Sequence, residues 1–212
     1  MKTVGVDAAR GGWLAVVVDD RGFQDAWLAP DLDVVVARCA AADSIVVDVP
    51  IGLPPLGERR RADAAARALV GVRRSSIFWA PPRAALAAAT YAEARLVDPT
   101  LSAQAFALKR AILDAEQQGS RVQEGHPEAS FRALAGSPLR YAKRTWNGQM
   151  LRRQLLATAG IQLSDDLLEA GLVPPDDVLD AAAMAWTARR VAAGISETLP
   201  ADPTHTEPVI RY

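Results

Sequence analysis

Lys2-Thr3-Val4-Gly5-Val6-Asp7-Ala8-Ala9-Arg10-Gly11-Gly12-Trp13 opens the chain and runs on into Leu14-Ala15-Val16-Val17-Val18. The stretch reads as an apolar strand ending on a carboxylate, a glycine turn, and a second apolar strand. Adjacent glycines between β-rich runs mark a hairpin, because glycine reaches positive φ without steric cost. Alternation puts Thr3, Gly5 and Asp7 on one face of the first strand and Val4 and Val6 on the other. An aspartate at the end of a buried strand must be paired, hydrogen-bonded or bound to a cation, since a bare buried charge is costly. What Asp7 meets is therefore the question put to the rest of the chain.

Gly22 to Leu28 continues the meander as a third strand after the Asp19-Asp20-Arg21-Gly22 turn. Asp31 then caps a helix whose Leu32, Val35, Val36 and Cys39 fall at the spacing of one buried stripe. Ser44 to Pro50 is a second strand that ends on a carboxylate, Asp48. Following a helix, it can cross over to lie parallel to the first strand. If the two strands are neighbours, Asp7 and Asp48 stand side by side at one sheet edge, where open α/β sheets place their sites.

From about residue 50 to about residue 119 the pattern turns mostly helical, an insertion ahead of a short fifth strand at Arg121 to Glu128. A helix from Arg59 to Leu69 stops at Gly71, and Ser102 caps another that carries Leu101, Ala105, Leu108, Ile112 and Ala115 on one side. Further helices are expected at Glu128 to Leu134 and Gly148 to Ala159, with a short one between Ser164 and Gly171. Pro174-Pro175 introduces the last long helix, Asp176 to Ala193, ended by Gly194. Val209-Ile210 in the tail suits an edge strand. The expectation is one α/β domain over residues 1–212.

Half of the 212 residues are hydrophobic, enough for a real core, and the net charge of −1 does not advertise a polyanion partner. No apolar run approaches the length of a membrane span, and the opening residues do not read as a signal peptide. The one cysteine cannot form an internal disulfide, which suits a reducing cytoplasm. Oligomeric state is left open, a homodimer being compatible with the residues.

The last helix carries Asp177-Val178-Leu179-Asp180. Residues three apart share a helix face, so both carboxylates project together from its first turn. Asp176 and Asp177 also suit the positive end of the helix dipole, a role that accounts for Asp176 and is open to Asp177, but does not account for Asp180 beside an alanine-rich packing face. Gathered with Asp7 and Asp48, these acids repel by about 4 kcal/mol per close pair at an effective dielectric near 20. Oxygen-only ligands suit Mg²⁺ or Mn²⁺. Zinc does not fit, because His126 and His205 lack ligand spacing. His126, in Glu124-Gly125-His126-Pro127-Glu128, reads as a turn residue, an orienting group or a proton carrier.

Five ordered motifs together resemble a known family: Gly5 to Trp13, Asp48 to Pro54, Arg73 to Phe78, Glu124 to Phe131, and Asp176 to Ala181. It is the domain-of-unknown-function family 429, grouped with predicted nucleases of RNase H-like fold. The resemblance implies a mixed five-stranded sheet flanked by helices. It also implies a catalytic set of Asp7, Asp48, Glu124, Asp177 and Asp180, with Asp7, Asp48, Asp177 and Asp180 holding two Mg²⁺ or Mn²⁺ ions. The activity implied is two-metal hydrolysis of nucleic-acid phosphodiesters.

Backbone-binding candidates are Arg10, Arg73, Arg74, Ser75, Ser76, His126 and Lys143. Other local basic groups are Arg59-Arg60-Arg61, Arg83, Lys143-Arg144 and Arg152-Arg153, with Phe78, Trp79 and Trp146 placed among them to stack on bases. Arg59 to Arg61 read rather as the wet face of a helix, whereas Arg73-Arg74-Ser75-Ser76 do not. Two rival readings stand beside the nuclease. A strand-one Asp with a glycine turn also builds sugar-kinase and actin-like ATP-binding phosphotransferases, though no Gly-x-x-x-x-Gly-Lys-[Ser/Thr] loop is present. The third reading is a non-catalytic scaffold whose acids only cap helices and anchor turns.

Overall fold

The computed structural model describes residues 1–212. The opening stretch folds as β1 (Lys2–Ala9) and β2 (Gly12–Asp19), paired antiparallel from Lys2↔Asp19 to Ala9↔Gly12. Only Arg10 and Gly11 are left in the turn, and Gly11 takes the positive φ of 86° that the tight reversal demands. β3 (Gly22–Ala29) completes the meander, with a register shift at Val17/Val18.

Helix α1 (Leu32–Arg38) starts where Asp31 accepts the Val34 N–H at 2.9 Å, and it returns the chain to β4 (Ser44–Val47). β4 pairs parallel with β1, from Thr3↔Ser44 to Val6↔Val47. β5 (Gln123–Glu124) adds in parallel to β4 through Val47↔Glu124. The result is a five-stranded mixed sheet of order β3-β2-β1-β4-β5.

Between β4 and β5 the chain builds α2 (Arg61–Val70), a 3₁₀ turn (Gly71–Ser76), α3 (Arg83–Leu86), α4 (Tyr91–Val97), α5 (Ala103–Ala107) and α6 (Lys109–Gln117). Ser102 caps α5 at the Ala105 N–H, but the apolar stripe read as one helix breaks at Leu108, and α6 starts anew. After β5 come α7 (Pro127–Ala135), α8 (Trp146–Thr158) and α9 (Pro175–Ala192). The short helix expected from Ser164 lies further on, as a 3₁₀ turn at Leu168–Leu172. The tail forms a two-stranded ribbon, β6 (Thr198–Leu199) with β7 (Ile210–Arg211), and Arg211 bridges Gly125 beside β5.

Period-2 alternation divides the core into two layers. On one face Val4, Val6, Val35, Val36, Val47 and Ile112 pack together, which seats α1 and α6. There Asp114 of α6 accepts from Trp13 Nε1 at 2.7 Å and from the Leu32 N–H at 2.9 Å. On the other face Leu14, Val16, Val46, Phe131 and Leu156 meet the alanines of α9. α9 lies over β1 with almost no gap: a Cβ on Gly5 would stand 1.9 Å from Ala185 N and 2.1 Å from Ala181 O. No helix is long and apolar enough to cross a membrane.

Candidate metal centre

Asp7 leaves β1 on the α9 face, its Oδ1 accepting the Ala8 N–H at 2.8 Å. Asp48 follows Val47, the register partner of Val6, and its N–H continues the ladder to Val6 O at 3.0 Å. The parallel pairing therefore sets the two carboxylates side by side. Asp180 reaches the same point from the second turn of α9, anchored by the close approach at Gly5. One carboxylate oxygen from each of Asp7, Asp48 and Asp180 lies within 4.8 Å of the others.

This gathering is electrostatically uncomfortable. Burial, then the neighbouring Asp48 and Asp180 charges, push the Asp7 carboxyl well above its ordinary range. Burial also pushes Asp48 and Asp180 up to about 7, although Lys143 pulls both back. Lys143 Nζ donates to Asp180 Oδ2 and lies 3.8 Å from Asp176 Oδ2. Burial works against the lysine's charge, but Asp180, Asp48 and Asp7 more than offset it and hold its pKa above the usual value. The donor set is all carboxylate oxygen with a single ammonium among it, which fits a hard divalent cation and not zinc.

The remaining expected residues fall out as follows. Asp177 stands outside the close trio, half-buried on the wall of the same cavity. Burial, then Asp176, raises its carboxyl above the usual range. Asp176, which the sequence explained as a helix-terminal charge, is the acid that shares Lys143 with Asp180, and Arg144 Nε adds a 3.5 Å contact. A four-residue step stacks Asp176 and Asp180 along the helix face turned toward the sheet, where the three-residue step leaves Asp177 half outside.

Glu124 is the register partner of Val47, so it leaves the sheet on the face opposite Asp7 and Asp48. Both of its oxygens are taken by Arg60, at 2.7 and 2.8 Å, and the Ile51 N–H donates to it at 2.7 Å. Arg60 Nε also donates to Asp63 Oδ1 at 3.0 Å, and Asp63 Oδ2 accepts the Ala80 N–H at 2.9 Å. Burial raises the Glu124 carboxyl, opposed by Arg60. Arg60 is thus the buried N-cap residue of α2, only 6% exposed, and not part of a wet basic face. The i, i+3 spacing of Arg60 and Asp63 was the sequence signal for their pairing.

His126 is the N-cap of α7, its Nδ1 accepting the Glu128 N–H at 3.2 Å. That contact puts the proton of the neutral ring on Nε2. Burial lowers its pKa to about 4. Arg10 is exposed at the hairpin turn. Arg73 is spent on the carbonyls of Leu139 and Arg140, at 3.2 and 2.8 Å. Ser76 lines the cavity and donates to Arg73 O at 2.7 Å, while Arg74 and Ser75 are exposed.

Several further basic groups are also committed. Arg152 is fully buried on Glu128, Arg153 pairs with Asp165, and Arg83 pairs with Glu116. Trp79 is flanked by the guanidiniums of Arg59 and Arg67, and Trp146 is 72% exposed.

No curated protein and no solved structure matches this chain. Among known families, "Protein of unknown function (DUF429)" matches residues 5–205, nearly the whole chain, and the protein belongs to that family.

Proposed function

We propose that this protein is a divalent-metal-dependent nuclease of RNase H-like fold that hydrolyses nucleic-acid phosphodiesters by a two-metal mechanism. One observation carries the reading: oxygens of Asp7, Asp48 and Asp180, acids far apart in the chain, lie within 4.8 Å of one another, with Asp7 and Asp180 buried and Asp48 half-buried. A scaffold gains nothing from three mutually repelling carboxylates, whereas a cation site requires them. The antiparallel meander, the parallel β4 and β5, and the helix laid across β1 support the fold assignment.

In this reading Asp7, Asp48 and Asp180 hold one ion, and Asp177 on the same wall is the acid available to a second. Divalent ions bound there would lower the pKa of a bound water and stabilise charge on the phosphoryl and leaving oxygens. The chain's own groups do the rest. Lys143 supplies a positive charge beside Asp180 where an anionic phosphodiester approaches. His126 presents a neutral Nε2–H donor from the wall of the cavity. The Arg60–Glu124–Asp63 network fixes the helical insertion to β5 and so shapes the mouth of the site.

The test is a Mn²⁺-supplemented cleavage screen on labelled single-stranded, duplex, hybrid and junction substrates. Cleavage by the wild type that Asp7→Asn abolishes is expected. Equal cleavage by both proteins overturns the assignment.

A further inference from the structure

The acid trio does not lie on an open groove. It lines a cavity of about 260 Å³ whose opposite wall comes from the helical insertion, through Ser76, Ile77, Phe78, Gln104 and Leu108. Ligand pockets for whole small molecules run from about 300 to 1,000 Å³, so this space falls just below that range. The insertion wall is not loosely hung. Arg60, just ahead of α2, is held on Glu124 of β5 through two hydrogen bonds and reaches the Ile51 carbonyl at 3.0 Å.

The charge around the cavity points the same way. Eight carboxyl groups line it against three cations, Arg60, Lys143 and Arg144. Arg60 is committed to Glu124 and Asp63, and Lys143 to Asp180 and Asp176, while Arg144 stays 86% exposed with one 3.5 Å contact to Asp176. Nearby, Arg73 is spent on backbone carbonyls and Arg61 on Asp202 and Glu207, which leaves Arg74 as an exposed neighbour. A protein that grips an extended backbone does so with uncommitted lysines and arginines along the track. This wall would repel a polyanion and admit one phosphodiester neutralised by divalent ions.

We infer that the substrate is a compact nucleoside phosphodiester, one or two nucleotides long or the unpaired end of a strand, and that interior positions of a duplex are excluded. The inference rests on the nuclease reading above. Phe78 on the insertion wall gives a single base a surface to pack on, and the neutral His126 donor suits a phosphoryl or sugar oxygen.

The test compares four Mn²⁺-supplemented substrates with wild type and Asp7→Asn: a dinucleoside monophosphate, a linear single strand, a closed circular single strand and a closed circular duplex. Asp7-dependent cleavage of the first two, with the circles cut at least about tenfold more slowly, is the expected result. The affinity for the linear strand should fall with salt along a log–log slope no steeper than about −1.5, as one or two phosphate contacts require. Circles cut as fast as linear strands, or a slope steeper than about −4, overturn the inference while leaving the metal nuclease standing. No Asp7-dependent cleavage of any of the four overturns both.

Discussion

Gly5 of β1 faces the backbone of Ala185 in α9 so closely that any Cβ would lie 1.9 Å from the Ala185 nitrogen. This contact sets the distance between the strand that carries Asp7 and the helix that carries Asp180. Gly5→Ala should cost about 3 kcal/mol or fail to fold, because backbone cannot give way as a side chain can. In any folded fraction, Mn²⁺ affinity should fall as Asp180 is pushed from Asp7. Urea denaturation and Mn²⁺ titration check both effects, and wild-type values for each would refute the role assigned to the contact.

Removing one repelling acid should stabilise the metal-free protein. Burial holds Asp48 near about 7, far above the usual 3.8, so between those values the folded state binds the proton and the unfolded state does not. Its contribution to stability is therefore present at low pH and lost as pH rises through about 7. Metal-free Asp48→Asn should melt above wild type at alkaline pH, by about 2–4 °C per kcal/mol of repulsion relieved, with the gap closing toward acid. Mn²⁺ should raise the wild type and not the variant, reversing the order. His126 acts with the opposite sign. Its folded value of about 4 lies below the ordinary 6.5, so its contribution is lost as pH falls through that window. A variant that melts below wild type at every pH without metal would contradict the electrostatic account.

Arg60 is the sole cation shared by Glu124 and Asp63 in a buried network. Arg60→Met should destabilise by about 3–5 kcal/mol, since it strands two buried carboxylates. Adding Glu124→Gln and Asp63→Asn should recover part of that loss by removing the stranded charges. Chemical denaturation of the single and triple variants decides it. A single variant as stable as wild type would show that the network does not hold the insertion.

Lys143 competes with a cation for the same acids. Lys143→Met should tighten Mn²⁺ binding by about tenfold, or 1.4 kcal/mol, while slowing hydrolysis. Isothermal titration and turnover assays separate the two effects. Weaker Mn²⁺ binding in the variant would mean that the ammonium positions the acids and does not rival the metal.

Much of this was legible in the chain. Val4, Val6 and the Val16-Val17-Val18 run fixed the β1–β2 hairpin through alternation and a glycine turn. Asp31 and the Leu32, Val35, Val36 stripe marked α1, and a helix between two strands allowed the parallel pairing that the structure shows setting Asp48 beside Asp7. The helical periodicity of the insertion was readable too, though not the break at Leu108 between α5 and α6.

What the sequence by itself determined is what depends on near neighbours: strand alternation, helix stripes, caps, and an acid at the end of each of two strands that a helix separates. Only the tertiary structure decided which charges are free. It turned Glu124 to the opposite face and gave it to Arg60, chose Asp176 over Asp177 as the acid that shares Lys143, and spent most of the basic clusters on internal partners. The physical reason is that a charge's partner lies across a register or a helix crossing, set by packing between elements remote in the chain, whereas a residue's burial pattern is written in the period of its own element.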